Sequence, residues 1–181
     1  MSYVRFAIMI FIIMLSACGQ GDNPSSQEVE EHEVSAMSQK SSSFLSFSWI
    51  EHGFNGVFEP LDLHLGVSSD VIRTQFGEPK QMGHYEGGKY WNYGNASIFL
   101  NAEEDTSVAV AYNIAEYQLR EDDLKKALGT PDQTEVDERD GFTVYHYYLD
   151  EYELFFEADP DTGKIVYVWF HELKQDRLAT L

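Results

Sequence analysis

Six histidines, His32, His52, His64, His84, His146 and His171, are the side chains best suited to proton transfer or metal binding near neutral pH. They are scattered along the chain. His171-Glu172 is not followed by the second histidine that a zinc-protease helix places at i+4. Nucleophilic catalysis needs an activated Ser, Cys or Thr beside a base, and no Gly-x-Ser-x-Gly elbow occurs. Asp159-Pro160-Asp161-Thr162-Gly163 has the outline of a calcium loop. However, Pro160 separates the carboxylates, the glycine comes one place early, and Phe170 stands where a bidentate Glu is required. The segment reads instead as a hairpin loop. With 31 Asp and Glu in the chain, neighbouring carboxylates carry no information without geometry. The expectation is a protein with no catalytic residue, no metal site and no cofactor.

The one side chain whose chemistry is legible is Cys18. A single cysteine cannot form an internal disulfide or a multi-cysteine zinc site. It follows an apolar run from Phe6 to Leu15, preceded by one charge, Arg5. That run is too short to span a hydrocarbon core of about 30 Å as a helix. It matches the h-region of a secretory signal. Leu15-Ser16-Ala17-Cys18 resembles the bacterial lipobox, in which the cysteine sulfur is acylated and the residues before it are removed. Residues 1–17 are therefore expected to be a lipoprotein signal peptide, and Cys18 the lipidated first residue of the mature chain. The expected location is extracytoplasmic, tethered to a bacterial membrane by acyl chains.

Charge narrows the partners. Twelve Lys and Arg against 31 Asp and Glu leave a net charge of −19. Such a chain repels phosphate backbones, so no nucleic-acid partner is expected. Residues 18–43 are Ser-, Glu- and Gln-rich with scarcely a large apolar residue, and read as a solvated tether. Its cluster Glu28, Glu30, Glu31, His32 and Glu33 is read as a solvated charge run rather than a cation site. At Phe44 the composition changes, and residues 44–181 are expected to form the folded unit. Phe44, Leu45, Phe47, Trp49 and Ile50 suggest a short amphipathic helix with Gly53 as its C-cap.

Two segments, about 65–113 and 117–170, share an order of features. Each opens with a helical pattern, Ser68–Phe76 and Glu121–Leu128, with an apolar i,i+4 pair: Ile72/Phe76 and Leu124/Leu128. Each helix stops at Gly-x-Pro, Gly77-Glu78-Pro79 and Gly129-Thr130-Pro131. Ser68 is suited to cap the first helix; Arg120 is a poor cap for the second, offset by Glu121, Asp122 and Asp123. A polar stretch and a glycine turn follow, then three aromatic-rich strands in each half. The predicted fold class is α+β: a tandem repeat of helix plus antiparallel β-meander, forming one sheet with helices on one face.

These features resemble the YjgB-like family of bacterial lipoproteins and secreted proteins, a domain of unknown function. The resemblance rests on the Gly-x-Pro helix stop, the glycine turn, the Trp91-x-Tyr93 strand and the doubling. More distantly the unit resembles the β-lactamase-inhibitor-protein fold and outer-membrane assembly lipoproteins of the SmpA type. The resemblance covers about residues 41–172 and implies a helix-plus-sheet tandem whose open face could hold a partner.

The strands carry aromatic residues on both sides, whereas a sheet covered on one face should alternate apolar with polar. In the last strand Val166, Val168 and Phe170 are expected to face one way, and Ile165, Tyr167 and Trp169 the other. Trp91, Tyr93, Tyr145, Tyr147, Tyr167 and Trp169 are the candidate partner-binding residues. Tyr and Trp make good contact surfaces at low entropic cost. The expected function is a non-catalytic, membrane-anchored domain that binds an envelope protein or other envelope component. In the competing structural reading, the Phe44–Ile50 helix or a C-terminal helix near residues 173–181 covers that face. Two other functions remain open. One is an envelope hydrolase or metal-dependent enzyme built on His84, His146 and nearby carboxylates; the other is an acidic spacer.

Overall fold

The computed structural model describes residues 44–85 and 88–173. The signal peptide, Cys18, the tether and residues 174–181 lie outside the described residues. Among the described residues, three short helices and ten strands are arranged as an α+β fold. Helix α1 (Ser48–Gly53) is followed by a small hairpin of β1 (Val57–Phe58) and β2 (Leu63–His64). Then come α2 (Ser69–Phe76), β3 (Gln81–Tyr85), β4 (Gly88–Asn92), β5 (Ala96–Leu100) and β6 (Ser107–Asn113). Helix α3 (Glu121–Leu128) leads into β7 (Gln133–Val136), β8 (Thr143–Leu149), β9 (Tyr152–Ala158) and β10 (Ile165–Glu172).

Strands β3 to β10 form one antiparallel sheet in the order β3-β4-β5-β6-β10-β9-β8-β7. Four strands therefore follow each of α2 and α3, where the sequence suggests three. The additional strands are β3 and β7, which lie in the stretches read as polar connections. Both are edge strands with almost every residue exposed, so neither shows the alternation that marks a half-buried strand. Polar edges also discourage pairing with other chains.

Helices α2 and α3 end as expected. Gly77 and Gly129 sit at φ +78° and +95°, a region disfavoured for residues with a Cβ. Ser68 holds the cap position of α2, but its hydroxyl makes no capping bond. Arg120 heads α3; its N–H donates to Asp123 Oδ2 at 2.9 Å, and its guanidinium reaches the carbonyl of Thr162 at 2.9 Å. Gly53 departs from expectation. It is the last residue of α1, not a left-handed cap, and the turn to positive φ comes at Gly56. Its lack of a side chain lets the helix lie against Leu149, whose Cδ1 occupies the place of a Cβ.

The core lies between the helices and one face of the sheet. Trp49 and Ile50 of α1, Ile72 of α2, and Leu124 and Leu128 of α3 join Ile98, Val110, Leu154, Phe156, Val168 and Phe170. Phe58 of the small hairpin is buried between Trp49 and Phe170, with ring centroids 5.9 and 6.0 Å away. The Phe44–Ile50 segment therefore covers the same face as the other helices: Phe44 stacks on Tyr117 at 3.6 Å, and Trp49 on Phe156 at 6.2 Å. A register shift in β10 between Ile165 and Tyr167 overturns the alternation read for that strand. Ile165 is buried with Val168 and Phe170, leaving Tyr167 and Trp169 on the other side.

Candidate functional site

The six candidate aromatics do not share a face. Trp91, Tyr145 and Tyr147 are core residues, and Tyr93 packs against the core. The two halves use tyrosine in the same way. Tyr93 donates its hydroxyl to the carbonyl of Gly77 at 3.3 Å, and Tyr147 donates to the carbonyl of Gly129 at 3.1 Å. Each ties a helix stop to the sheet. Desolvation raises the pKa of both phenols. Tyr145 reaches Glu121 at the start of α3 at 3.4 Å, and the Arg73 guanidinium lies 4.4 Å from the Trp91 ring centroid. Of the six, only Tyr167 and Trp169 lie on the face away from the helices.

That face carries an aromatic row which composition predicts but whose members it does not. Residues paired across an antiparallel ladder share a face, so the register assigns the row directly. Tyr85 and Tyr90 meet Phe99 at 5.9 and 6.2 Å. Phe99 stacks on Trp169 at 5.5 Å, and Trp169 on Phe155 at 5.9 Å with planes 6° apart. Phe155 stacks on His146 at 5.7 Å. Between Phe99 and Trp169 the row crosses β6, where Ala109 is paired with Phe99 and Ala111 with Trp169. Small side chains there leave the rings of β5 and β10 free to meet. The same gap opens a cleft of about 510 Å³ lined by Tyr85, Phe99, Ala109, Phe155, Trp169 and His171.

Beside the row lies a polar cluster. Glu153, only 1% exposed, bonds His146 Nδ1 through one carboxylate oxygen and His171 Nε2 through the other, the latter at 2.9 Å. Glu135 of the edge strand stands 3.6 Å from His146 Nε2. Burial pushes the Glu153 carboxyl up, but the hydrogen bonds from His146 and His171 outweigh it and hold the pKa down at about 2. His171 Nδ1 faces the Glu172 carbonyl at 2.9 Å. Both its ring nitrogens thus have an oxygen partner. Glu157, by contrast, is raised by burial, against the lowering hydrogen bond from Trp169 Nε1 at 3.0 Å.

This cluster is the residue set that sequence reasoning missed. One signal for it was present. Asp150-Glu151 is a two-residue turn that pairs Leu149 with Tyr152, which places Tyr148 opposite Glu153 and His146 one step along the same face. His171 enters through the β9–β10 pairing, which depends on the register shift. His84, grouped with His146 in the enzymatic reading, lies on edge strand β3, with five strands between it and β8. Its register partner is Lys89, next to Tyr90 in the ladder and so on the opposite face from the row. Among the described residues, no group of three or more His, Cys, Asp or Glu is arranged to hold a metal ion. The Asp159–Lys164 segment is the β9–β10 hairpin loop, with Asp159 Oδ1 accepting from Thr162 N and Oγ1 at 2.8 and 2.7 Å.

The face is also one-sided in charge. Among the described strand residues whose register places them on it, Glu135, Glu153 and Glu157 appear and no Lys or Arg does.

No family model and no curated protein matches the chain. Solved structures do. An extracellular protein containing an SCP domain from Bacillus anthracis aligns at TM-score 0.46 and 12% identity, over 68% of this chain and 47% of that one. A cysteine-rich secretory protein from Staphylococcus aureus aligns at TM-score 0.42 and 12% identity, over 64% and 44%. The DUF4309 family protein YjgB from Bacillus subtilis aligns at TM-score 0.55 and 18% identity, over 74% of this chain and 97% of its own. Over most of its length the chain is thus similar in fold to YjgB, as the Gly-x-Pro helix stops and glycine turns led one to expect.

Proposed function

We propose that this protein is a non-catalytic, extracytoplasmic domain, anchored to the bacterial membrane through lipid on Cys18, that binds an envelope protein or other envelope component through the sheet face away from its helices. The observation that carries this reading is the aromatic row from Tyr85 to Phe155 on that face. The described helices bury their apolar side chains against the other face, so the row serves no described helix. Tyr85 and Tyr167 there are 52% and 38% exposed. The matching order of helix and four strands on either side of the β6–β10 pairing supports reading the domain as a tandem repeat with one broad binding surface.

The test is capture from native envelope extract on the immobilised full chain. The control is a Tyr85→Ser, Tyr167→Ser double variant with an unchanged circular dichroism spectrum. A component retained by the native chain and lost by the folded variant is the expected result. Equal capture by both would remove the face from consideration.

One observation favours the enzymatic alternative, the grouping of Glu135, His146, Glu153 and His171. A rise in Tm with zinc or calcium, abolished by His146→Ala, would bring an envelope hydrolase or metal-dependent enzyme forward.

A further inference from the structure

We infer that the sheet face left open by the described residues is built for an extended, basic peptide segment of a partner protein, its Lys or Arg side chains lying over the aromatic row. This inference rests on the proposed use of that face. Three observations point to the ligand class. The first is charge: the described strand residues on this face include three glutamates and no Lys or Arg. Glu153 is buried and hydrogen-bonded to its two histidines. Glu157 beside Trp169, and Glu135, whose side chain is 53% exposed, stand along the path of the row. The second is the rings, whose negative faces attract ammonium and guanidinium groups. Phe99 and Trp169, in contact with each other, line the cleft beside Ala109, where a side-chain stem can lie along the rings.

The third is length. From β4 to β8 the row crosses five strand spacings, about 24 Å at 4.8 Å each. An extended peptide of about seven residues spans that distance. The whole-chain charge of −19 steers a cationic segment toward the domain and opposes a second copy of it.

The experiment titrates the full chain with three octapeptides at physiological salt: alternating Leu-Lys, Leu-Ser and Leu-Glu. The expected result is saturable one-to-one binding of Leu-Lys, at least tenfold tighter than Leu-Ser, with none for Leu-Glu. Phe99→Ser and Glu157→Gln, each with an unchanged circular dichroism spectrum, should each weaken it about tenfold. Unsaturable Leu-Lys binding, or binding untouched by both variants, would mean diffuse attraction to an acidic chain and would overturn the inference. Leu-Ser binding as tight as Leu-Lys and lost in Phe99→Ser would leave the face as the binding surface but refute the basic class. Saturation by none of the three would refute both.

Discussion

Glu153 shows how a residue unremarkable in sequence becomes demanding in place. A carboxylate with 1% exposure loses nearly all its hydration, and only charge-assisted bonds to both oxygens make its ionised form acceptable. The pKa of about 2 lies below that of an unfolded glutamate. The stabilisation is therefore complete above about pH 4.5 and is lost as pH falls toward 2. Glu153→Gln should cost roughly 2–4 kcal/mol at pH 7, since an amide cannot accept from both imidazoles as an anion does. The gap between variant and native protein should shrink by roughly half or more at pH 3 and close only toward pH 2. Urea unfolding at pH 7 and pH 3 checks both statements; an equal gap at the two values would mean the charge is not the source. In the sequence, His146, Glu153 and His171 are three polar residues on aromatic strands, and two of them meet only through the register of β10.

At the scale of elements, what marks an end proved more readable than what marks a polar strand. Gly77 and Gly129 end their helices because a positive φ costs a glycine little and the proline two residues on cannot extend the helix. Strands β3 and β7 have no apolar face, since each is an edge strand with little to bury. Gly53 looked like a helix end by type, yet it serves close approach. Gly53→Ala tests the difference. A solvent-facing helix position would gain up to ~1 kcal/mol from alanine's propensity. Here the new methyl overlaps Leu149, so the change should destabilise by about 1–3 kcal/mol. Thermal or urea unfolding of the variant decides it, and a more stable protein would show that α1 can shift away from β8 freely.

For the whole molecule, the net charge of −19 sets a uniform opposing term. The described ion pairs that offset it, such as Lys125 with Glu121 and Lys89 with Asp105, have side chains roughly half exposed, where such pairs contribute little. Folding brings like charges together, and salt screens them. Raising NaCl from ~0.01 M to ~0.15 M, where the Debye length falls from about 30 Å to about 8 Å, should raise Tm by a few degrees. Scanning calorimetry at the two salt levels reads this directly. A fall in Tm would show that the ion pairs outweigh the repulsion. The same screening should weaken any basic ligand of the sheet face away from the described helices, so stability and binding are expected to respond to salt in opposite directions.

By itself the sequence determined the features that depend on neighbours in the chain. The two helix stops, six of the strands and the hairpin at Asp159–Lys164 belong to that class. Each is encoded by local sterics or a short run of types. Which aromatic side chains face outward was decided only by the tertiary structure. Trp91, Tyr93, Tyr145 and Tyr147 are buried or packed against the core under the helices, while Phe99 and Phe155 join Tyr167 and Trp169 on the far face. The physical reason is the two-residue period of a strand. A single register shift, such as the one after Ile165, exchanges the two faces beyond it, and pairing between strands distant in sequence, not composition, sets where that shift falls.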